Sequence, residues 1–253
     1  MEIDISLYTL FALIIVAFIA GCIDAIAGGG GMITIPALLM AGIPPLEALG
    51  TNKFQSSFGS FGASVHFYKR GHIELKKHLP FVVVVFCASM LGSLCVQSFE
   101  STFLRKCIPF LLIVFALYFL FAPKITQDSH RALVGAFPLG IVLGAIGFYD
   151  GFFGPGTGSF FMLAFIVLGG FNILQSLAHA KLLNFATNLA SVLIFAFSGK
   201  ILWIVGLCMA LGQFAGANLG SHLATFYGVR LIKPLVVIVS LCACANLLYK
   251  EYF

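Results

Sequence analysis

Ten apolar runs follow one another along this chain, at about 7–27, 31–43, 46–67, 79–97, 103–121, 132–150, 157–169, 173–198, 201–222 and 231–249. Eight are of the length a helix needs to cross a bilayer, roughly 20 residues; the second and seventh are short, at about 13. Charged residues make up only 9% of the 253 positions and hydrophobic ones 60%. Soluble domains carry about 25% charged residues, so there is too little polar surface here to cover a soluble globule. Mean hydropathy is +1.07. The chain reads as an all-α integral membrane protein, a helical bundle with almost nothing outside the bilayer.

The net charge of +5 sits in short loops, with no Lys/Arg-rich run to track phosphates, so nucleic acid is not an expected partner. The N-terminal "MEIDIS" lacks the basic region of a signal peptide, and the first apolar run is expected to stay as a helix. Seven cysteines lie mostly inside apolar runs without a CxxC pattern and read as small packing residues. No cluster has metal-ligand spacing, and no nucleophile–base pair stands out. No metal, cofactor or enzyme activity is expected.

The chain is internally duplicated. "GCIDAIAGGGG" (21–31) aligns with "GFYDGFFGPGT" (147–157), setting Asp24 on Asp150 at an offset of 126. After a two-residue insertion the offset is 128, and Leu46 falls on Leu174, Lys53 on Lys181, Gly71 on Gly199 and Gly92 on Gly220. The expected organisation is a first transmembrane repeat over 1–122, a cytoplasmic linker at 123–131 and a second repeat over 132–253, each of five segments. Each short segment follows a glycine-rich break and reads as a half-helix, a re-entrant hairpin or a short tilted crossing. The loop "KRGHIELKKH" (69–78) holds four Lys/Arg and is the strongest cytoplasmic candidate. Five crossings per unit would invert the second repeat and put the N-terminus in the periplasm; segments that only dip would give parallel repeats. Inverted repeats are favoured.

A charge inside a span costs a few kcal/mol, so it is functional or paired. Asp24, Asp150, Lys53 and Lys181 form two repeat-equivalent pairs of this kind. Thr51, Asn52 and Ser56 lie beside Lys53, and Asn184 and Asn188 follow Lys181 at helical spacing, with His179 close by. Two ammonium groups among hydroxyls and amides suit a small oxyanion; interhelical salt bridges from each lysine to Asp24 or Asp150 are the alternative. The breaks at Gly29, Gly30, Gly31 and at Gly156, Thr157, Gly158 offer free N–H groups to an anion. Close helix packing through small residues is the other reading. Asp24 and Asp150 couple transport to protons or gate the site, or else brace the breaks by accepting from freed N–H groups.

"GCIDAIAGGGGMITIPALLMAGIPPLEALGTNKFQSSFGS", with "GFYDGFFGPGTGSFFMLAF" and "AKLLNFATNLAS", resembles the two half-signatures of the sulfite exporter TauE/SafE family. The resemblance runs across nearly the whole chain. It implies a duplicated helical permease for sulfite, sulfonates or related organic anions. The family's motif positions fall on Asp24, Gly28 to Gly31, Pro36, Thr51, Asn52 and Lys53. In the second half they fall on Asp150, Gly154, Pro155, Gly156, Gly158, Lys181, Asn184 and Asn188. The expected function is a proton-coupled secondary transporter of a small sulfur-containing oxyanion or organic anion in the cell inner membrane. An anion channel of the same fold, or a membrane enzyme acting on a sulfur compound, are the alternatives. Expected partners are the small anion and the lipid bilayer, and a homo-oligomer is compatible with the sequence.

Overall fold

A computed structural model describes residues 5–121 and 132–227. Among them the chain is all-α, with no strand: α1 Leu7–Ala27, α2 Gly31–Met40, α3 Pro45–Lys69, α4 Leu75–Val96, α5 Ser101–Phe121, α6 Ala136–Phe152, α7 Thr157–Val167, α8 Ile173–Phe197 and α9 Trp203–Tyr227. The nine runs expected up to residue 222 each become one helix, with ends shifted by a few residues. The tenth, 231–249, and the linker 123–131 lie outside the described residues. Among the described residues four helices are long and apolar enough to cross a membrane: Leu7–Ala27, Leu75–Val96, Ile173–Phe197 and Trp203–Ala224. The chain is a multi-pass membrane protein. Helix α3 is as long as α8 but carries a buried polar stripe, from Asn52 and Gln55 to Ser60 and Ser64, that lowers its apolar character.

Local chemistry sets the ends. Ser6 caps α1 by accepting from Thr9 N at 3.2 Å, and Asn172 caps α8 by accepting from Gln175 N at 2.9 Å. Pro45 occupies the first turn of α3, where its missing N–H costs nothing. Helix α1 stops at Gly28, whose φ of 78° is the left-handed cap that glycine adopts freely.

The two short segments double back. Leu133 N and Val134 N, just before α6, donate to Leu168 O just after α7, at 3.0 and 3.4 Å. Helices α6 and α7 therefore form a hairpin whose tip is the Gly154–Gly156 break. Tyr149 closes that tip by donating to Pro155 O at 2.6 Å. In the first half Gly30 folds back onto Asp24 and Ala20 of α1. The two tips meet: Ser159 Oγ donates to Ala27 O, and a Cβ on Gly158 would stand 2.8 Å from Gly28 Cα.

Small residues set the remaining crossings, as expected where lipid gives helices no hydrophobic reason to associate. Gly212, Gly216 and Gly220 of α9 lie on Ile14, Phe18 and Cys22 of α1, ascending together, so these helices run parallel. Gly144, Gly147 and Gly151 of α6 lie on Val84, Val85 and Ser89 of α4 in the same parallel sense. Helices α3 and α8 run in opposite directions, with Gly50 against Phe195 and Lys200, and Phe61 against Phe185. Helix α7 doubles back beside α6, while α3 and α8 run in opposite directions.

Candidate functional site

The polar faces of α3 and α8 meet the two hairpin tips at the centre of the bundle. Lys53 lies two turns into α3, and its Nζ donates to Asp150 Oδ1 of α6 at 2.7 Å, with both side chains 2% exposed. Lys181 lies two turns into α8, and its Nζ donates to Asp24 Oδ2 of α1 at 2.7 Å. Each lysine is thus paired with the aspartate of the opposite half. In this state the salt-bridge alternative holds for both pairs. Removing one partner would strand a buried charge, which makes the pairs obligatory as long as nothing replaces a member.

Both oxygens of each carboxylate accept a hydrogen bond. Asp150 Oδ2 also accepts from Thr187 Oγ1 and from Asn184 Nδ2, the latter at 3.3 Å. Asp24 Oδ1 accepts from Gly30 N at 3.1 Å. Asp24 therefore both pairs with a lysine and braces the glycine break, whereas among the described residues no break N–H donates to Asp150.

Around the pairs lies a cavity of about 20 Å³, room for about one water molecule, lined by polar groups from both halves. Asp24, Asn52, Lys53, Ser56, Asp150, Asn184 and Asn188 line it, together with Gly28, Gly31, Gly154, Gly156 and Gly158. Asn188 Nδ2 reaches Ser60 Oγ at 3.5 Å, joining repeat-equivalent positions across the centre.

Several expected site residues lie elsewhere. Lys181 is within the pair network but does not line the cavity. Gly29, Gly30 and Thr157 are also off the lining: Gly30 N–H is spent on Asp24, and Thr157 Oγ1 donates to Gly154 O at 2.7 Å. Thr51 accepts from Leu202 N at 3.0 Å and ties α3 to the start of α9. His179 stacks on His78 at 3.7 Å between ring centroids, beside Phe165 and Phe171, and is not a cavity residue. It sits two residues from Lys181, which is about 200° around a helix, so proximity in sequence puts it on the far side.

Residues the sequence reading missed are Thr34, Gln55, Thr187 and Ser159. Thr34 Oγ1 donates to Asn52 Oδ1 at 2.5 Å, and Gln55 Nε2 donates to the same oxygen at 3.0 Å. Their only signal was a polar side chain inside an apolar helix. Ser89 and Ser93 of α4 clamp α8 through Ser191 at 3.0 and 2.9 Å. Among the described residues no group of three or more His, Cys, Asp or Glu is placed to hold a metal ion.

The family profile described as sulfite exporter TauE/SafE matches residues 13–247. The chain belongs to the sulfite exporter TauE/SafE family. Within it, the chain is 49% identical over 246 residues to a probable membrane transporter protein, ORF9, of Sinorhizobium sp., covering 97% of this chain and 94% of the relative. It is 45% identical over 249 residues to a probable membrane transporter protein of Haemophilus influenzae, covering 98% of each. It is 44% identical over 249 residues to the probable membrane transporter protein YfcA of Escherichia coli K12, covering 98% of this chain and 93% of that one. No solved structure matches. The two ion pairs and the cavity between them lie within the matched residues. These relatives are named as transporters, and the chain is a membrane transporter of that family.

Proposed function

We propose that this transporter moves a small sulfur-containing oxyanion or organic anion, such as sulfite or a sulfonate, across the cell inner membrane, coupled to protons. The observation that carries this reading is the crossed pairing of two buried lysines with the aspartates of the opposite half around one polar cavity. A cavity with room for about one water does not hold a three-oxygen anion beside intact pairs. The anion takes the place of the carboxylates on Lys53 and Lys181, with Asn52, Ser56, Asn184 and Asn188 adding neutral donors. Asp24 and Asp150 act as gates that hold the lysines until substrate arrives. Their release on anion entry is the step at which transport couples to protons.

The two halves act as inverted repeats that rock about the touching hairpin tips and expose the cavity to either side in turn. The opposed directions of α3 and α8 support this. The basic loop between α3 and α4 faces the cytoplasm, and the start of α1 faces the periplasm. A thermal-shift screen of the purified protein tests the ligand class. Sulfite or a sulfonate raises the melting temperature, and chloride and phosphate do not. Equal stabilisation by all four would defeat the reading.

A further inference from the structure

The two aspartates of the site are not held alike. Asp150 accepts from Lys53, Asn184 and Thr187, whereas among the described residues Asp24 accepts from Lys181 and Gly30 alone. When Lys53 leaves for an anion, Asp150 keeps two neutral side-chain donors. When Lys181 leaves, Asp24 keeps a single backbone N–H. The duplication shows where the difference arises. At the offset of 128, Thr187 falls on Gly59, so the first half has no hydroxyl at the place from which Thr187 reaches Asp150.

Gln213 of α9 fills that place. A Cβ on Gly59 would stand 2.6 Å from Gln213 Cγ and 3.0 Å from its Nε2, so the amide occupies space that a threonine side chain takes in the other half. The other members of this corner are repeat-equivalent too. Gly21 falls on Gly147 at the offset of 126, and Gln213 falls on Val85 at 128. A Cβ on Gly21 would meet Gln213 Cα at 3.0 Å, and one on Gly147 would meet Val85 Cα at 3.0 Å. Gly21 lies about one turn before Asp24 on α1, as Gly147 lies about one turn before Asp150 on α6. Where the second half uses valine, the first half buries a glutamine at 1% exposure, with Oε1 unpartnered among the described residues. An orphaned acceptor is destabilising, and Val85 shows that packing of this corner does not call for one.

The geometry points to Gln213 as a positioning residue that receives Asp24 when Lys181 leaves it for the anion. The inference rests on the anion-transport reading of the same site. The carboxamide swings across the gap at Gly59 and donates to the released Asp24 carboxylate, as Thr187 donates to Asp150 in the other half. Rotation about Cγ–Cδ presents the NH2 whichever way the amide rests in the closed state. That hydrogen bond to a carboxylate offsets part of the loss of the lysine. It thereby raises the fraction of the protein in which Lys181 is open to the anion, and with it the apparent affinity.

The test uses the full-length transporter in proteoliposomes with sulfite as the probe, and a melting temperature for each variant. Gln213→Met keeps the length and flexibility of the side chain and removes both amide atoms. It is expected to melt no lower than the parent, while KM for sulfite rises about tenfold and maximal rate changes far less, as for the loss of one hydrogen bond to a charged group. Gln213→Val with Gly59→Thr copies the second half into the first and brings KM back toward the parent value. Gln213→Val with Gly59→Val fills the same space without a hydroxyl and leaves KM raised. An unchanged KM in Gln213→Met would overturn the inference. So would equal recovery by valine and threonine at position 59, which marks a packing role. A parent protein that neither binds nor moves sulfite would remove the transport reading, and this inference with it.

Discussion

Lys53 Nζ stands 2.7 Å from Asp150 Oδ1, and the two residues come from opposite halves of a duplicated chain. Their repeat counterparts, Lys181 and Asp24, make the same bond at the same distance in the reverse sense. The halves are therefore fastened to each other by the charges that the site would have to release.

The deeper pair is the one in which a lone partner is least tolerable. Asp150 is 1% exposed and also receives Asn184 and Thr187, so Asp150→Ala strands Lys53 and is expected to cost about 3–5 kcal/mol. Combining Asp150→Leu with Lys53→Met removes both charges and recovers most of that loss. Unfolding in detergent micelles reads the difference. A double variant as unstable as the single one would contradict the pairing.

The meeting of the hairpin tips is tested with two glycines of similar backbone. Gly28 has φ 78° and Gly42 has φ 83°, so alanine at either pays the left-handed penalty of roughly 1–2 kcal/mol. A Cβ at Gly28 would also collide with the backbone of Gly158 and Ser159, whereas one at Gly42 meets nothing within 4 Å. Gly28→Ala should lower the melting temperature clearly more than Gly42→Ala. Equal shifts would mean that the tips do not touch.

Among the described residues His179 has no hydrogen-bond partner for either ring nitrogen, and it packs against His78, Phe165 and Phe171. His179→Phe removes two unsatisfied buried atoms while keeping an aromatic ring in the stack. Its melting temperature should match or exceed the parent's, with KM unchanged. A raised KM would return His179 to the anion site.

The Lys200–Glu47 pair at 3.0 Å differs from the central ones, since its side chains are 38% and 20% exposed. Exposed pairs are worth about 0–1 kcal/mol and are screened by salt. Glu47→Gln should therefore shift stability by no more than that, and by still less at high salt. A loss as large as that of Asp150→Ala would contradict this ranking.

How much of this was legible in the sequence depends on the kind of signal. Apolar run length located the helices, because the bilayer leaves few alternatives for a chain that must satisfy its own backbone. Asp24, Lys53, Asp150 and Lys181 stood out because charges are rare in such runs. Their crossed pairing was not legible, since both aspartates lie in helices that could face either lysine until the hairpins are placed. The hairpins themselves hid behind the shortness of α2 and α7, which suits a dip and a tilted crossing equally. Thr34 and Gln55 escaped notice because an uncharged polar residue in a membrane helix is common.

Lys53 and Lys181 are proposed to hold the transported anion. Counterflow of sulfite or a sulfonate in proteoliposomes tests it directly, comparing the parent with Lys53→Ala and Lys181→Ala. Saturable exchange is expected in the parent and at least about a tenfold loss of it in each variant, the equivalent of one strong contact. Exchange at the parent rate in both lysine variants would contradict it.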